Sequence, residues 1–422
     1  MCAAVLLVAA AVGVDQPLSK QAVGADRPLS KQIVPTGSPI SRKLPSVFWA
    51  ALSGHMLAAV SSMFVGCALV DHGHTQHNSI AILCTILWAL LITRSFKPRA
   101  GCLDLVAAAV FVAALNFKQM ALYFALPVFV AHLLLCTQQP GVLQKLGRLI
   151  CTGMVVLGTQ AAILLPLCQG PVDCWAQGMQ VLSRVFPTTR GIYEDKVANL
   201  WCVMEPFFKS QQRLLAGTLS ATSVLAVSVL GTLVLCAPAL ALVWTRLHAV
   251  HSTERAPLLL TVCALCALAF FLCSVQVHEK TILFPLSVME AAQCLTARCN
   301  EKQHLQVATS WFRLHALLSL VPLLRRDGVL LALSVLFALL LAEHLLARRW
   351  HQPRRAHTLV HGGILAGQIL MVGAEVLAVA PVQLPHLFLL GLAAMSFSAF
   401  MLTWYEVTVA SFSTYIDKAV QY

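Results

Sequence analysis

Residues 257–277 read PLLLTVCALCALAFFLCSVQV, a continuous run without one charged side chain. About 20 apolar residues are enough for an α-helix to cross the hydrocarbon core of a bilayer. The whole chain shares this character, because 59% of its 422 residues are hydrophobic and only 11% are charged, whereas soluble domains carry about 25% charged residues. Together with a mean hydropathy of +0.79, this composition excludes a protein made of water-soluble globular domains. The sequence therefore predicts an integral membrane protein.

Similar apolar runs recur along the chain and are separated by short polar segments. They predict an all-α polytopic fold with about ten to twelve transmembrane helices, whose candidate spans are 47–70, 79–93, 103–116, 119–136, 149–167, 216–244, 257–277, 281–297, 306–324, 328–346, 359–380 and 386–410. Residues 1–45 differ, because AVGVDQPLSKQ at 11–21 is followed directly by AVGADRPLSKQ at 22–32. A proline in each copy is incompatible with a coiled coil, so we expect a disordered tail followed by a membrane domain at 46–422.

The net charge of +12 indicates the orientation of the spans rather than nucleic-acid binding. If Arg42 and Lys43 lie in the cytosol, the connections on that side hold 16 Lys and Arg against three acids, and the opposite connections hold nine against seven. Basic residues are enriched in cytosolic loops, which supports this orientation. It places the polar clusters, including the long connection 168–215, on the non-cytosolic side, as expected of an enzyme or transporter that works there.

Two of these clusters consist of ionisable residues between closely spaced apolar runs. His278, Glu279 and Lys280 separate two predicted spans, and Lys118 with Gln119 separates two others. Ionisable groups beside the hydrocarbon are costly and tend to be functional, and cations at this depth suit a lipid-linked phosphate. The alternative is a tight interfacial turn whose charged ends reach back to water.

The densest polar cluster is RVFPTTRGIYEDKVANLWC at 184–202. Arginines such as Arg190 bind phosphate through a planar fork, and Glu194 and Asp195 suit sugar hydroxyls. An ordinary amphipathic interfacial helix, anchored by Tyr193 and Trp201, explains the composition equally well. One disulfide bond is a further candidate feature of this connection, among Cys168, Cys174 and Cys202.

The remaining motifs narrow the classes of function. DHGHTQHN at 71–78 has the residue types of a zinc site, but no second cluster accompanies it, so Asn78 acting as a helix cap is the favoured reading and no metal site is predicted. GxxxxGK[ST], GxSxG and HExxH are all absent from the sequence. Their absence disfavours an active-transport ATPase and a membrane metalloprotease.

Four of these segments, in order, resemble the endoplasmic-reticulum dolichyl-phosphate-glucose glucosyltransferases of asparagine-linked glycosylation. They are DHGHTQHNS at 71–79, LNFKQMALY at 115–123, RVFPTTRGIYEDKVANLWC at 184–202 and QVHEKTIL at 276–283. The likeness runs from Val70 to Asp327, and GIYEDKVANLWC and KQM are most similar to the member that adds the first glucose. The family departs from this sequence at Thr75, His77 and Ala121.

The resemblance implies a polytopic C-type glycosyltransferase that needs no nucleotide sugar and no cofactor. It implies transfer of glucose from dolichyl-phosphate glucose to a dolichyl-diphosphate-linked oligomannose acceptor in an α-1,3 linkage, at the lumenal face of the endoplasmic-reticulum membrane. The substrate-binding residues expected on this basis are Lys118, Gln119, Arg190, Glu194, Asp195, His278 and Lys280.

In the family, the catalytic acid lies in a first lumenal loop, and nothing in this sequence matches that loop. We therefore expect a chain whose catalytic base is missing and leave the catalytic residue unassigned. The alternatives to an active enzyme are a truncated, non-catalytic pseudoenzyme and a lipid or solute transporter that uses the same cavity. Inverted repeats with paired broken helices would favour transport, and the membrane part shows no internal repeat.

Overall fold

The computed structural model describes the greater part of the chain between Asn78 and Asp417. The described residues are 78–96, 102–168, 174–185, 197–209, 213, 216–296, 303–348, 355–378, 380–382, 384 and 386–417. Helices account for nearly all of them, and none lies in a β-strand. The predicted all-α class is confirmed. The tail 1–45 with its repeat and the candidate span 47–70 lie outside the described residues, so their structure stays a prediction.

The described α-helices are numbered here in chain order. They are α1 (Asn78–Arg94), α2 (Leu103–Phe117), α3 (Ala125–Thr137), α4 (Val142–Leu164), α5 (Cys174–Val185), α6 (Leu200–Phe208), α7 (Ala221–Arg246), α8 (Ser252–Cys273), α9 (Leu283–Thr296), α10 (Gln303–Ser319), α11 (Val321–Arg326), α12 (Leu330–Arg348), α13 (Arg355–Leu377) and α14 (Leu387–Asp417). Short 3-10 helices at Gln119–Phe124, Leu165–Leu167 and Glu279–Ile282 precede α3, follow α4 and precede α9, respectively.

Within the described part of the chain, six helical segments are long and apolar enough to cross a membrane. They are Gln119–Thr137, Val142–Leu167, Ala221–Arg246, Ser252–Cys273, Ala356–Leu377 and Leu387–Thr414. The helices Asn78–Arg94, Leu103–Phe117 and Leu330–Leu346 are apolar but shorter. The polytopic membrane architecture is thus confirmed, while the number of spans, ten to twelve, stays a prediction.

Helix α8 forms the centre of the bundle. From Ala256 onward its sequence is apolar on nearly every face, and such a helix is stable only when it is surrounded. Leu258, Val262, Leu265 and Leu268 are fully buried. Helices α1, α3, α7, α9 and α14 all pack against α8. The uncharged side chains of α8 therefore form the centre of the core. The polar residues that follow α8 in the sequence lie at one end of that core.

Proline and glycine explain where the observed helices interrupt the predicted spans. The predicted span 306–324 is divided into α10 and α11 at Leu320, beside Pro322, which lacks the N–H that a continuous helix would use. Gly328 has a φ of +73°, which ends the helical stretch before α12 begins. Gly217, at a φ of +69°, similarly precedes α7, so this helix begins later than the predicted span 216–244.

Helix α4 runs parallel to α2 on the outside of the bundle. The side chains of Arg148 and Asp104 form an ion pair near the start of both helices, with Arg148 Nε 2.7 Å from Asp104 Oδ2. Asn116 and Gln160, one helix length further on, exchange amide hydrogen bonds of 2.8 and 3.1 Å. Most apolar side chains of α4 are exposed, as expected where a helix faces lipid.

Candidate functional site

The end of α8 is where the long polar connection joins the core. The backbone carbonyl of Cys273 accepts hydrogen bonds from Trp201 Nε1 at 2.7 Å and from Ser228 Oγ at 2.9 Å. The next carbonyl, that of Ser274, accepts a 3.2 Å hydrogen bond from Asn199 Nδ2. The last carbonyls of a helix lack partners within it, and here side chains from α7 and from the connection satisfy them.

Asn199 has two functions at this junction because its amide has both a donor and an acceptor. Its Oδ1 accepts a 3.0 Å hydrogen bond from the backbone N–H of Cys202 and so caps the start of α6. Its Nδ2 is left to bond Ser274. Asn199 is also buried. The segment NLWC at 199–202 is therefore fixed against the end of α8. That end lies only a few residues before His278 in the sequence.

The VHEK segment follows as an extended stretch and a single 3-10 turn. Thr281 closes the turn, because its backbone N–H and its Oγ1 donate to the carbonyl of His278 at 3.0 and 2.7 Å. Glu279 is buried and accepts a 2.8 Å hydrogen bond from Arg326 Nη2 at the end of α11. Lys280 and His278 are half-buried, which places one cationic and one titratable side chain at this end of the bundle.

The KQM segment reaches the same place through Tyr123. The backbone of Lys118 is extended, with φ −150° and ψ 119°, and the 3-10 helix Gln119–Phe124 begins directly after it. The ring of Tyr123 stacks on Phe270 of α8 with centroids 5.2 Å apart. The same ring meets Phe284, the second residue of α9, edge-on with centroids 6.5 Å apart. Two motifs that are distant in sequence are therefore neighbours in the fold.

We call this region the motif end, defined by Tyr123, Asn199, Ser274 and Thr281. Of the predicted site residues, Lys118, Gln119, His278 and Lys280 lie in the segments that meet there, with Gln119 exposed and the other three half-buried. Arg190, Glu194 and Asp195 lie outside the described residues; of their motif 184–202, only the first two residues, at the end of α5, and the part from Val197 onward are placed. Their contribution stays a prediction.

The candidate metal ligands and the candidate disulfide have different outcomes. In DHGHTQHN only Asn78 is described; it begins α1 and is buried, while the histidines lie outside the described residues. A hydrogen bond joins the thiols of Cys168 and Cys174 and raises the pKa of Cys168 above its usual value. Cys202 is buried in α6. The structure thus brings together Cys168 and Cys174 as the candidate pair.

Several residues of the motif end had no role in the sequence-based prediction of the site. Thr281, Tyr123 and Asn199 are uncharged, and their importance depends on contacts between segments far apart in the chain. Glu279 belongs to a cluster that the sequence indicates, but its ion pair with Arg326 could not be predicted from spacing. Position along the chain is the one signal that could have found the uncharged residues, since Asn199 lies within the polar cluster 184–202, and Tyr123 and Thr281 lie within five residues of Lys118 and Lys280.

Chemically, the motif end offers cations and hydrogen-bond donors beside an apolar core. Ammonium and imidazole groups at the depth of lipid headgroups can bind phosphate. Arg326, whose side chain is 61% exposed, pairs with Glu279 and balances its negative charge. Because this carboxylate already has a cationic partner, it does not cancel the positive charge of Lys280. The arrangement suits an amphiphile whose anionic group lies at the bundle end and whose apolar tail lies along the helices.

Comparison with known proteins gives one family. The profile of the ALG6, ALG8 glycosyltransferase family matches residues 43–406. This match extends beyond Asp327, where the resemblance based on motifs alone ends, and includes most of the C-terminal helices.

Individual relatives agree with that profile. The chain is 36% identical over 295 residues to a dolichyl pyrophosphate Man9GlcNAc2 alpha-1,3-glucosyltransferase of Saccharomyces cerevisiae. That match covers 68% of this chain and 48% of the relative. The chain is 35% identical over 273 residues to the Gallus gallus protein of the same name, covering 65% and 48%. A probable enzyme of that name from Caenorhabditis elegans is 30% identical over 373 residues, covering 87% and 65%. The chain spans about half the length of the first two relatives.

Proposed function

The chain belongs to the ALG6, ALG8 glycosyltransferase family, and from this membership we propose that it transfers glucose to a lipid-linked oligomannose. The proposed donor is dolichyl-phosphate glucose and the proposed acceptor is a dolichyl-diphosphate-linked oligosaccharide, with formation of an α-1,3 bond. The names of the relatives support the acceptor and the linkage, since they specify Man9GlcNAc2 and alpha-1,3-glucosyltransferase. The donor rests on the resemblance of the motifs and on the chemistry of the site.

The observation that carries the proposal is the packing of Tyr123 against Phe270 of α8 and Phe284 of α9. It holds the KQM segment beside the VHEK segment, which lies between α8 and α9. Lys118 and Lys280 therefore flank one connected surface, rather than two separate loops. A donor with a phosphate headgroup and a polyprenyl tail matches a surface that combines cations with an apolar bundle.

The roles of the residues follow from the reaction. A lipid phosphate is a good leaving group and needs little acid assistance, whereas the attacking sugar hydroxyl needs a carboxylate base. Lys280 with His278 would stabilise the negative charge that develops on the departing phosphate, and Arg190 would assist. Glu194 and Asp195 would bind sugar hydroxyls, and Lys118 with Gln119 would contact the donor. The catalytic base remains unassigned among the residues of this chain.

We further propose that the protein lies in the endoplasmic-reticulum membrane with the motif end in the lumen. The charge distribution supports this orientation, because the connection around Pro353 contains four arginines and is expected in the cytosol. A glycosylation acceptor inserted at Pro353 should therefore remain unmodified, while the same acceptor inserted in the connection 168–215 should be glycosylated. Glycosylation at Pro353 would contradict the orientation.

The direct test of activity is glucose transfer by the purified full chain. The chain in lipid nanodiscs is given radiolabelled dolichyl-phosphate glucose and a lipid-linked Man9GlcNAc2 acceptor. The proposal predicts a labelled, alkali-stable oligosaccharide that carries one more hexose, and no product without acceptor. If the chain binds the donor but forms no product, the proposed glucose transfer is wrong. If labelled glucose or donor instead crosses the membrane of a sealed vesicle, the function is transport.

A further inference from the structure

The C-terminal helices contain a second group of polar residues that lies apart from the motif end. His357 and His361 are four residues apart on α13, so they share one face of the helix. Glu406 of α14 lies against that face, with its Oε2 3.0 Å from His357 Nε2 and 3.0 Å from His361 Nε2. The three ligand atoms all lie within 4.8 Å of one another.

Packing of three helices fixes the position of this cluster. Helix α14 packs against both α13 and α10. His361 is fully buried, and the side chains of His357 and Glu406 are 21% and 19% exposed. The indole ring of Trp311, from α10, stacks on His361 with centroids 5.1 Å apart. A carboxylate in this setting needs a positive partner, because an uncompensated charge within an apolar bundle is costly.

A chain of hydrogen bonds extends from His361 away from the carboxylate. His361 Nδ1 lies 3.1 Å from His315 Nε2, and His315 Nδ1 lies 2.6 Å from Gln368 Oε1. Gln368 Nε2 donates to Ser396 Oγ at 2.7 Å and to the His315 carbonyl at 3.4 Å. These two donations assign the amide nitrogen and oxygen of Gln368.

The direction of the chain determines which nitrogen of each imidazole carries hydrogen. Gln368 Oε1 only accepts, so His315 Nδ1 must donate to it, and the Nε2 of a neutral His315 then accepts from His361 Nδ1. In a neutral His361 the remaining nitrogen, Nε2, has a lone pair. That lone pair points at the carboxylate oxygen of Glu406 across 3.0 Å. Two acceptors at this distance need a cation or an additional proton between them.

We propose that His357, His361 and Glu406 bind a divalent transition-metal ion, with Zn²⁺ as the best match. Two imidazoles and one carboxylate are a known zinc ligand set, with Zn–N and Zn–O distances of about 2.0–2.2 Å. A tetrahedral site with such bonds has ligand atoms about 3.3 Å apart. The two 3.0 Å separations from Glu406 Oε2 therefore need to lengthen by only a few tenths of an ångström, while the two imidazole nitrogens, within 4.8 Å of each other, need to approach by about 1.5 Å at most. The fourth position is left for water.

The hydrogen-bonded chain through His315 supports metal binding independently of the three ligands. Histidine ligands of metals usually donate their second ring N–H to a carbonyl, carboxylate or other acceptor, which fixes the ring and its tautomer. His361 has this arrangement, with His315, Gln368 and Ser396 behind it. The ion would link α13 to α14 where both helices pack against α10. Its proposed role is to hold the C-terminal helices together.

The test is metal binding by the purified full chain after removal of metals with a chelator. Titration with Co²⁺ should give visible ligand-field absorption of a tetrahedral site, and added Zn²⁺ should displace it. Zn²⁺ alone should raise the thermal unfolding temperature of the wild-type chain. Glu406→Gln and His361→Asn should weaken binding of Co²⁺ at least tenfold, and His315→Asn should weaken it about tenfold to a hundredfold.

His386→Asn is the matched control, because His386 is an exposed histidine at the beginning of α14, remote along that helix from Glu406. It should bind Co²⁺ like the wild type. If a variant does not fold, the wild-type titration still decides the matter: absence of a tetrahedral Co²⁺ spectrum and of stabilisation by Zn²⁺ would overturn the proposal. It would also be overturned if Glu406→Gln folded and bound Co²⁺ as tightly as the wild type.

Discussion

The indole Nε1 of Trp201 donates a 2.7 Å hydrogen bond to the backbone carbonyl of Cys273, the last residue of α8. The same carbonyl accepts from Ser228. Trp201 was equally consistent with a simple anchor at the membrane interface, but its donor is used inside the protein. The start of α6 is thus attached to the end of the central helix, immediately before the VHEK segment.

The amide of Asn199 allows its two contacts to be separated by substitution. Asn199→Asp keeps an acceptor for the N–H of Cys202 but loses the donor to Ser274, whereas Asn199→Ala loses both. We expect only the alanine variant to lose the helix cap, at a cost of about 0.5–2 kcal/mol in unfolding free energy. Both variants should bind the lipid-phosphate donor more weakly. Thermal unfolding and donor crosslinking measure the two effects separately.

Ser183→Ala, on the exposed face of α5, serves as the control and should change neither quantity. Donor binding by Asn199→Asp at the wild-type level would show that attachment to Ser274 does not position the site.

Thr281 should support donor binding because its hydroxyl closes the VHEK turn. Thr281→Val removes the hydroxyl that donates to the carbonyl of His278. A hydrogen bond of this kind contributes about 0.5–1.5 kcal/mol, so donor binding, measured by crosslinking, should weaken several-fold. Tyr123→Phe is the control, because it keeps the ring that stacks on Phe270 and should bind the donor like the wild type. Wild-type binding by Thr281→Val would show that this turn does not position the site.

Arg313 should be the most sensitive charged residue of the C-terminal helices. It is buried, and it bonds Glu290 Oε1 at 3.0 Å and Glu343 Oε2 at 2.9 Å. Removing one member of a buried ion pair leaves an uncompensated charge and costs about 3–5 kcal/mol. Arg313→Leu should therefore greatly lower the thermal stability of the purified chain in detergent.

Neutralising both acids provides the control for that prediction. The triple variant Arg313→Leu, Glu290→Gln, Glu343→Gln should recover much of the stability, because no unpaired charge then remains. Wild-type stability of Arg313→Leu alone would show that the two carboxylates do not depend on the guanidinium.

Cys168 and Cys174 should form a disulfide bond in protein taken from an oxidising compartment. Cys174 lies close enough to raise the pKa of the Cys168 thiol, so reduced Cys168 should react slowly with alkylating agents at neutral pH. Non-reducing peptide mapping after alkylation should recover the two residues as one linked peptide. Cys102 is exposed and is expected on the cytosolic side, so it should be alkylated. Alkylation of both Cys168 and Cys174 without a reductant would exclude the bond and count against a lumenal position.

The sequence predicts the membrane helices and part of the site because both depend on local composition. The charge-free run 257–277 predicts a membrane-spanning helix, and ionisable residues between apolar runs indicate Lys118 and Lys280. Glu343 lies within the predicted span 328–346, and the structure pairs its charge with Arg313 of α10.

The remaining features depend on contacts between distant segments, and no local pattern encodes these. The stacking of Tyr123 on Phe270 joins uncharged side chains from different segments. His357 and His361 have a recognisable spacing, but Glu406 becomes a third ligand only because α14 packs along α13. Breaks at Leu320 and Gly328 shift helix ends through single residues within apolar sequence.

Binding of the donor phosphate by Lys280 is the central claim about the site, and one substitution tests it. Lys280→Met keeps the length and apolar bulk of the side chain and removes its charge. Photo-crosslinking to a dolichyl-phosphate analogue should show donor affinity reduced by about 1–3 kcal/mol, the range of a charge-assisted hydrogen bond, with no loss of protein yield. Lys145→Met makes the same chemical change near the start of α4, by the Arg148–Asp104 pair, and should crosslink like the wild type. Unchanged crosslinking by Lys280→Met would contradict the account and would leave Lys280 as an interfacial anchor.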